Sequence, residues 1–145
     1  MELKEMSMEC VDRCAVLFRD VFNTAPWHEQ WTVDTARKRL SEFMSTGQFL
    51  GFYAEEEGEV LGLICGQRET YYDGPRFLIQ EFCVDGRRQG TGCGKRLLER
   101  LRERLQEEEI PYLYLMTLRG ERTQGYYLRR GFETDEDLIL MYRKE

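Results

Sequence analysis

Phe77-Leu78-Ile79-Gln80-Glu81-Phe82-Cys83-Val84-Asp85-Gly86-Arg87-Arg88-Gln89-Gly90-Thr91-Gly92-Cys93-Gly94-Lys95-Arg96-Leu97-Leu98 is the stretch that decides the fold. Phe77 to Val84 reads as a strand. A glycine run follows, and then a helix from Gly92 to Gln106 with Leu97, Leu98, Leu101 and Leu105 on one face and charges on the other. A helix start has unpaired N–H groups and the positive end of the helix dipole. Glycines let an anion approach that backbone without a Cβ in the way. The turn therefore predicts a phosphate site, with Arg87, Arg88 and Lys95 adding cationic charge.

Outward from this stretch the chain alternates readable strands and helices. Upstream, a short strand covers Leu3 to Met6, and Glu9 to Phe22 has helical spacing that Pro26 breaks. Thr32 is placed to cap a second helix with Ala36, Leu40, Phe43 and Met44 on one face. Phe49 to Ala54 and Val60 to Gln67 flank Glu56-Glu57-Gly58-Glu59, a hairpin pattern. Downstream, Pro111 precedes a strand from Tyr112 to Leu118, a short helix from Gln124 to Arg130 stops at Gly131, and Leu138 to Tyr142 reads as a last strand. The order β, α, α, β, β, β, α, β, α, β predicts an α/β fold: a mixed, mostly antiparallel sheet with helices on its faces and a right-handed parallel crossover in the second half. We expect one domain over residues 1–145.

Composition narrows the function. The net charge of −6 argues against nucleic-acid binding, and the helix arginines Arg96, Arg100, Arg102 and Arg104 are interleaved with glutamates. No apolar run reaches the length of a membrane span, and Met1 to Glu5 has no signal pattern, so a cytoplasmic location without membrane contact is the expectation. Five cysteines without a CxxC, and His28 as the single histidine, argue against a zinc site or a disulfide scaffold. Cys10 and Cys14 lie one helical turn apart and read as small buried hydrophobes.

The glycine turn fails two phosphate patterns. GxxxxGK[ST] would need glycine at Gln89 and Ser or Thr at Arg96, and GxGxxG would need glycine at Lys95 or at Leu97. It fits [Gln/Arg]-x-x-Gly-x-[Gly/Ala] as Gln89-x-x-Gly92-x-Gly94, with Leu97-Leu98 following; an overlapping register, Arg87-x-x-Gly90-x-Gly92, also fits. Near the end, Tyr127 stands four residues before Gly131-Phe132. Together these resemble the central and late motifs of the GCN5-related N-acetyltransferase superfamily. Motif matches span Phe77 to Phe132, and Gly120 and Thr123 depart from the Asn and Ala that many members carry.

The resemblance implies an acetyl-CoA-dependent N-acetyltransferase with the acyl-CoA N-acyltransferase fold, and no metal. Gln89, Gly90, Thr91, Gly92, Cys93, Gly94 and Lys95 would bind the pyrophosphate of CoA. The strands Phe77 to Val84 and Tyr112 to Leu118 would splay apart around the pantetheine arm, which backbone groups of Phe82, Cys83 and Val84 would bond. Tyr127 would protonate the departing thiolate, unless it is a core tyrosine. Glu81 resembles in placement the glutamates that serve as base, unless it faces solvent. It shares a strand face with Cys83, opposite Phe82 and Val84. Acyl transfer to an amine needs such a base, an acid for the leaving group, and donors for the oxyanion.

The acceptor side reads less sharply. Trp27, Glu29 and Trp31 lie in the link between the first two helices, and Tyr72 lies in a second aromatic and acidic loop. The tryptophans either stack on an acceptor or pack the loop on the core, and Glu29 would pair with an ammonium. With the acidic run Glu133, Asp135, Glu136 and Asp137, this favours a cationic amine: a small molecule such as an aminoglycoside or polyamine, or a protein or peptide amine. Alternatives are transfer of a longer acyl group, or a CoA-binding regulatory module without turnover. Dimers are frequent in the family, so a homodimer is an expected assembly.

Overall fold

Period-2 and period-3.6 patterning resolve into separate elements in the computed structural model, which describes all residues from Met1 to Glu145. Contacts gather into two units, Met1–Leu115 and Met116–Glu145. The first holds β1 (Glu2–Glu5), α1 (Val11–Phe22), α2 (Val33–Met44), β2 (Phe49–Glu56), β3 (Glu59–Glu69), β4 (Arg76–Val84), α3 (Cys93–Glu107) and β5 (Tyr112–Leu115). The strands form one sheet in chain order, antiparallel except for the parallel pair β4–β5. This is the predicted mixed α/β sheet.

Local chemistry accounts for the element ends. Thr32 caps α2: its hydroxyl accepts from the N–H of Thr35, and the Thr35 hydroxyl accepts in return from the N–H of Thr32. The hairpin between β2 and β3 turns on Glu57 and Gly58, both at positive φ.

Helices cover both faces of the sheet. On one, α1 and α2 pack Val11, Cys14, Phe18, Ala36 and Leu40 against Leu63, Cys65 and Cys83. On the other lies α3, with Arg100 stacked over Phe52 and Leu97 so close to Gly62 that a Cβ there would meet it at 2.9 Å. Cys10, Cys14, Cys65, Cys83 and Cys93 are all buried thiols, the role expected of small hydrophobes.

β4 departs from simple alternation. Cys65 pairs with Glu81 but Gly66 pairs with Ile79, so Gln80 is an extra residue, a β-bulge. Residues directly opposite across a ladder share a face. Ile79 therefore joins Gly66 on the α3 side, whereas Glu81 and Cys83 join Cys65 and Leu63 on the α1/α2 side. Gly66 is required here, since a Cβ would lie 1.8 Å from the Leu78 carbonyl oxygen. The same stretch ends the parallel pairing. β5 matches β4 only from Arg76 to Ile79, leaving β3 as the one strand neighbour of residues 80–84. That is the predicted splay.

In the second unit α4 covers Gln124–Leu128, two residues shorter than expected, and Gly131 sits at φ +88° just past it. Two strand expectations need correction. The strand at Tyr112 ends at Leu115, not Leu118, and Leu138 to Tyr142 is not a strand. Those five side chains are 71–83% exposed, and no neighbouring strand supplies the ladder bonds that strand propensity alone cannot replace.

Candidate functional site

The glycine turn is built as an open helix start. Gly90 and Gly92 have φ of +83° and +87°, and a Cβ on either would meet nothing within 4 Å. Gly92 is the N-cap of α3 and has no side chain to cap it, so the first-turn N–H groups of Cys93, Gly94 and Lys95 lack an intrahelical partner; bonding begins at Arg96, which donates to the Gly92 carbonyl at 3.0 Å. No acidic residue stands in this first turn, whereas α1 has Asp12 and α2 has Asp34. Such a start suits an anion.

Not every residue predicted for the turn faces outward. The Cys93 side chain is buried toward Gly62, leaving its backbone N–H as the available group. Thr91 is exposed, but its N–H and its hydroxyl both donate to the Arg88 carbonyl. Gln89 and Lys95 are exposed. Arg87 does not supply free cationic charge. It bonds Asp85 at 2.7 Å and Glu59 at 2.6 Å, and holds the Asp85 carboxyl below its ordinary range. Arg88, Lys95 and Arg96 make no ion pair and are the available cations.

Glu81 is brought to the α2 side by the bulge and is 9% exposed. Arg39 Nε of α2 donates to its Oε1 at 2.7 Å. Burial pushes the Glu81 carboxyl up to about 7; Arg39 opposes that shift, and Glu29 reinforces it. Arg39 lies over Phe43 at 4.7 Å and Trp31 at 5.8 Å. Trp31 donates its ring N–H to Glu29 at 3.0 Å, and its backbone is clasped by the Asn23 amide. The fold thus joins two predicted acceptor residues to the predicted base through Arg39. The sequence reading missed Arg39, because Arg37-Lys38-Arg39 looks like a solvated face.

Both tryptophans also pack the loop. Trp31 meets Phe18 edge-on at 4.9 Å, and Trp27 meets Phe22 in the same way. Tyr72 is apart from this group, 91% exposed between β3 and β4 with its ring against Tyr71. In the second unit Tyr127 is half-buried and makes edge contacts with Tyr126 and Phe132. Thr123, one of the two departures from the family pattern, is buried and donates its hydroxyl to the Leu118 carbonyl at 2.7 Å, so it ties the loop before α4.

The chain matches the model of the Acetyltransferase (GNAT) family over residues 15–132. It belongs to the GNAT family. Solved structures share the fold at low identity. An aminoglycoside acetyltransferase, meta-AAC0020, from an uncultured soil metagenomic sample in complex with sisomicin has TM-score 0.77 and 16% identity, with 99% of this chain and 95% of that one covered. Aminoglycoside N-acetyltransferase AAC(6')-Iy in complex with CoA has TM-score 0.76 and 15% identity, with 99% and 93% covered. A ribosomal-protein-alanine N-acetyltransferase from Brucella melitensis biovar Abortus 2308 has TM-score 0.73 and 14% identity, with 99% and 98% covered. No curated protein sequence matches this GNAT chain. No helix in it is long and apolar enough to cross a membrane, and no group of three or more His, Cys, Asp or Glu side chains is placed to hold a metal.

Proposed function

We propose that this GNAT protein, acting as one domain, transfers an acetyl group from acetyl-CoA to a primary amine with both substrates bound together. The observation that carries this reading is the start of α3: uncapped N–H groups, no acid in the first turn, and two positive-φ glycines open to solvent. These features fit a pyrophosphate. The backbone from Gln89 to Lys95 is assigned to it, and that of Phe82, Cys83 and Val84, beside the splay, to the pantetheine arm. Acetyl-CoA supplies an activated acyl thioester. Glu81 takes the proton of the amine, since a carboxyl whose pKa lies near 7 is matched to exchange protons near neutrality. Tyr127 is assigned, from the late motif, to give a proton to the departing thiolate.

The acceptor we favour is cationic, an aminoglycoside- or polyamine-like molecule or a protein amine. Glu29 serves as counter-ion and Trp27 and Trp31 as apolar flanks, while Tyr72, apart from them on the β3–β4 loop, would meet only a more distant part of the acceptor. The aminoglycoside and ribosomal-protein acetyltransferases of the same fold support an acceptor of one of these kinds. The deciding experiment has two arms: calorimetry with acetyl-CoA, and an acetyltransferase screen over diverse amines read by thiol release. Binding with turnover of an amine is expected. Binding with no amine acetylated would replace this reading with that of a CoA-binding regulatory module.

A further inference from the structure

We infer that Arg39 is the positioning residue for amine deprotonation: its guanidinium holds the Glu81 carboxylate in the place and the charge state in which it accepts a proton. The inference rests on the reading of Glu81 as base.

A carboxyl buried without a counter-charge keeps its proton, and a protonated carboxyl cannot take one from an ammonium. The groups that face Glu81 leave Arg39 as its one cation. Glu29, from the link between α1 and α2, opposes ionisation. Cys65, opposite on β3, and Cys83, two residues along β4, are thiols that burial pushes well up, so they are neutral near pH 7. Arg39 meets Glu81 at 2.7 Å and bonds no other carboxylate.

Its placement is secured by aromatic rings. Phe43 lies one turn further along α2, and Trp31 is locked by Asn23 and Glu29. The acceptor loop thereby sets where the guanidinium stands, and the guanidinium sets where the carboxylate points. In the step itself one N–H bond of the ammonium breaks and one O–H bond forms on Glu81, whose proton then passes to water. Arg39 stays charged throughout.

The test compares Arg39→Met, which keeps the stem against Phe43 and Trp31, with Arg39→Lys, which keeps the charge. With saturating acetyl-CoA, the acid limb of kcat/KM for the amine should rise by about one to three pH units in Arg39→Met. With the wild-type midpoint at about 7, that corresponds to a loss of roughly 5- to 500-fold at pH 7, shrinking to about 10-fold or less at pH 9. Arg39→Lys should keep most of the wild-type limb, and the KM for acetyl-CoA should not move in either variant. A uniform loss with an unshifted limb, the signature of a merely structural role, would overturn the inference. A readout that needs no turnover is 13C NMR titration of the Glu81 carboxyl, assigned with Glu81→Gln. The midpoint should rise in Arg39→Met and return most of the way in Arg39→Lys. An unmoved midpoint sinks the Arg39 inference whichever way turnover falls, whereas absence of turnover with every amine sinks the base reading.

Discussion

At the scale of single residues, Glu81 links chemistry to stability. Its carboxyl titrates at about 7 in the folded chain against an ordinary 4.5, with burial as the main cause. Between those values the folded state holds a proton that the unfolded state has released. The stability it contributes is complete below about 4.5 and is lost as pH rises through about 7. Glu81→Gln stays neutral at every pH, so relative to wild type it should gain on the order of 2 kcal/mol between pH 5 and pH 8. Chemical denaturation at the two pH values measures this; a gap independent of pH would contradict it. The same variant should lose most turnover. Tyr127→Phe should lower kcat by about 100-fold or more with KM little changed if the phenol protonates the departing thiolate; an unaltered kcat removes that role. Glu81 was legible because strand parity and its place before the glycine turn are sequence properties. Arg39 was not, because the carboxylate it meets is 42 residues away on β4, and a neighbouring Phe43 on its own helix does not announce that contact.

At the scale of elements, the start of α3 was the most legible feature. Glycine spacing and leucine periodicity are local, and the helix begins within one residue of the predicted place. Substitutions there differ in what they report. Gly92→Glu puts a side chain at φ +87°, which costs about 1–2 kcal/mol of strain besides blocking the anion. Gly94 lies within the helix, so Gly94→Glu is the cleaner probe. It should abolish calorimetric binding of acetyl-CoA while far-UV circular dichroism stays unchanged, and retained binding would contradict the pyrophosphate assignment. The bulge in β4 was not legible, since alternation of buried residues continues through Gln80 although the face changes. Gly66→Ala tests it. A Cβ placed 1.8 Å from a backbone oxygen should lower stability by about 3 kcal/mol or more, seen as a fall in Tm.

At the scale of the whole molecule, every buried apolar side chain from Met6 to Ile110 belongs to the first unit, and residues 116–145 bury none. Amide exchange should therefore be slowest in β2, β3, β4 and α3 and markedly faster from Met116 onward. Equal protection in the two units would contradict that. Leu138 to Tyr142 misled the sequence reading for the same reason: the pattern has strand propensity, but a strand is defined by its neighbour. The extra residue at Gln80 works in the opposite direction, on a strand whose neighbours are secure. It gives β4 two parities, so Ile79 and Glu81 are counted on the same odd set yet look out on opposite sides of the sheet. Deleting Gln80 would leave Ile79 and Glu81 as neighbours on opposite faces, with the carboxylate still on the α1/α2 side, whereas drawing Gln80 into a regular pleat would carry the carboxylate to the α3 side. In this GNAT chain the side of the sheet on which Glu81, the proposed base, stands is therefore a matter of counting, and relatives are best compared along this strand by parity and not by position.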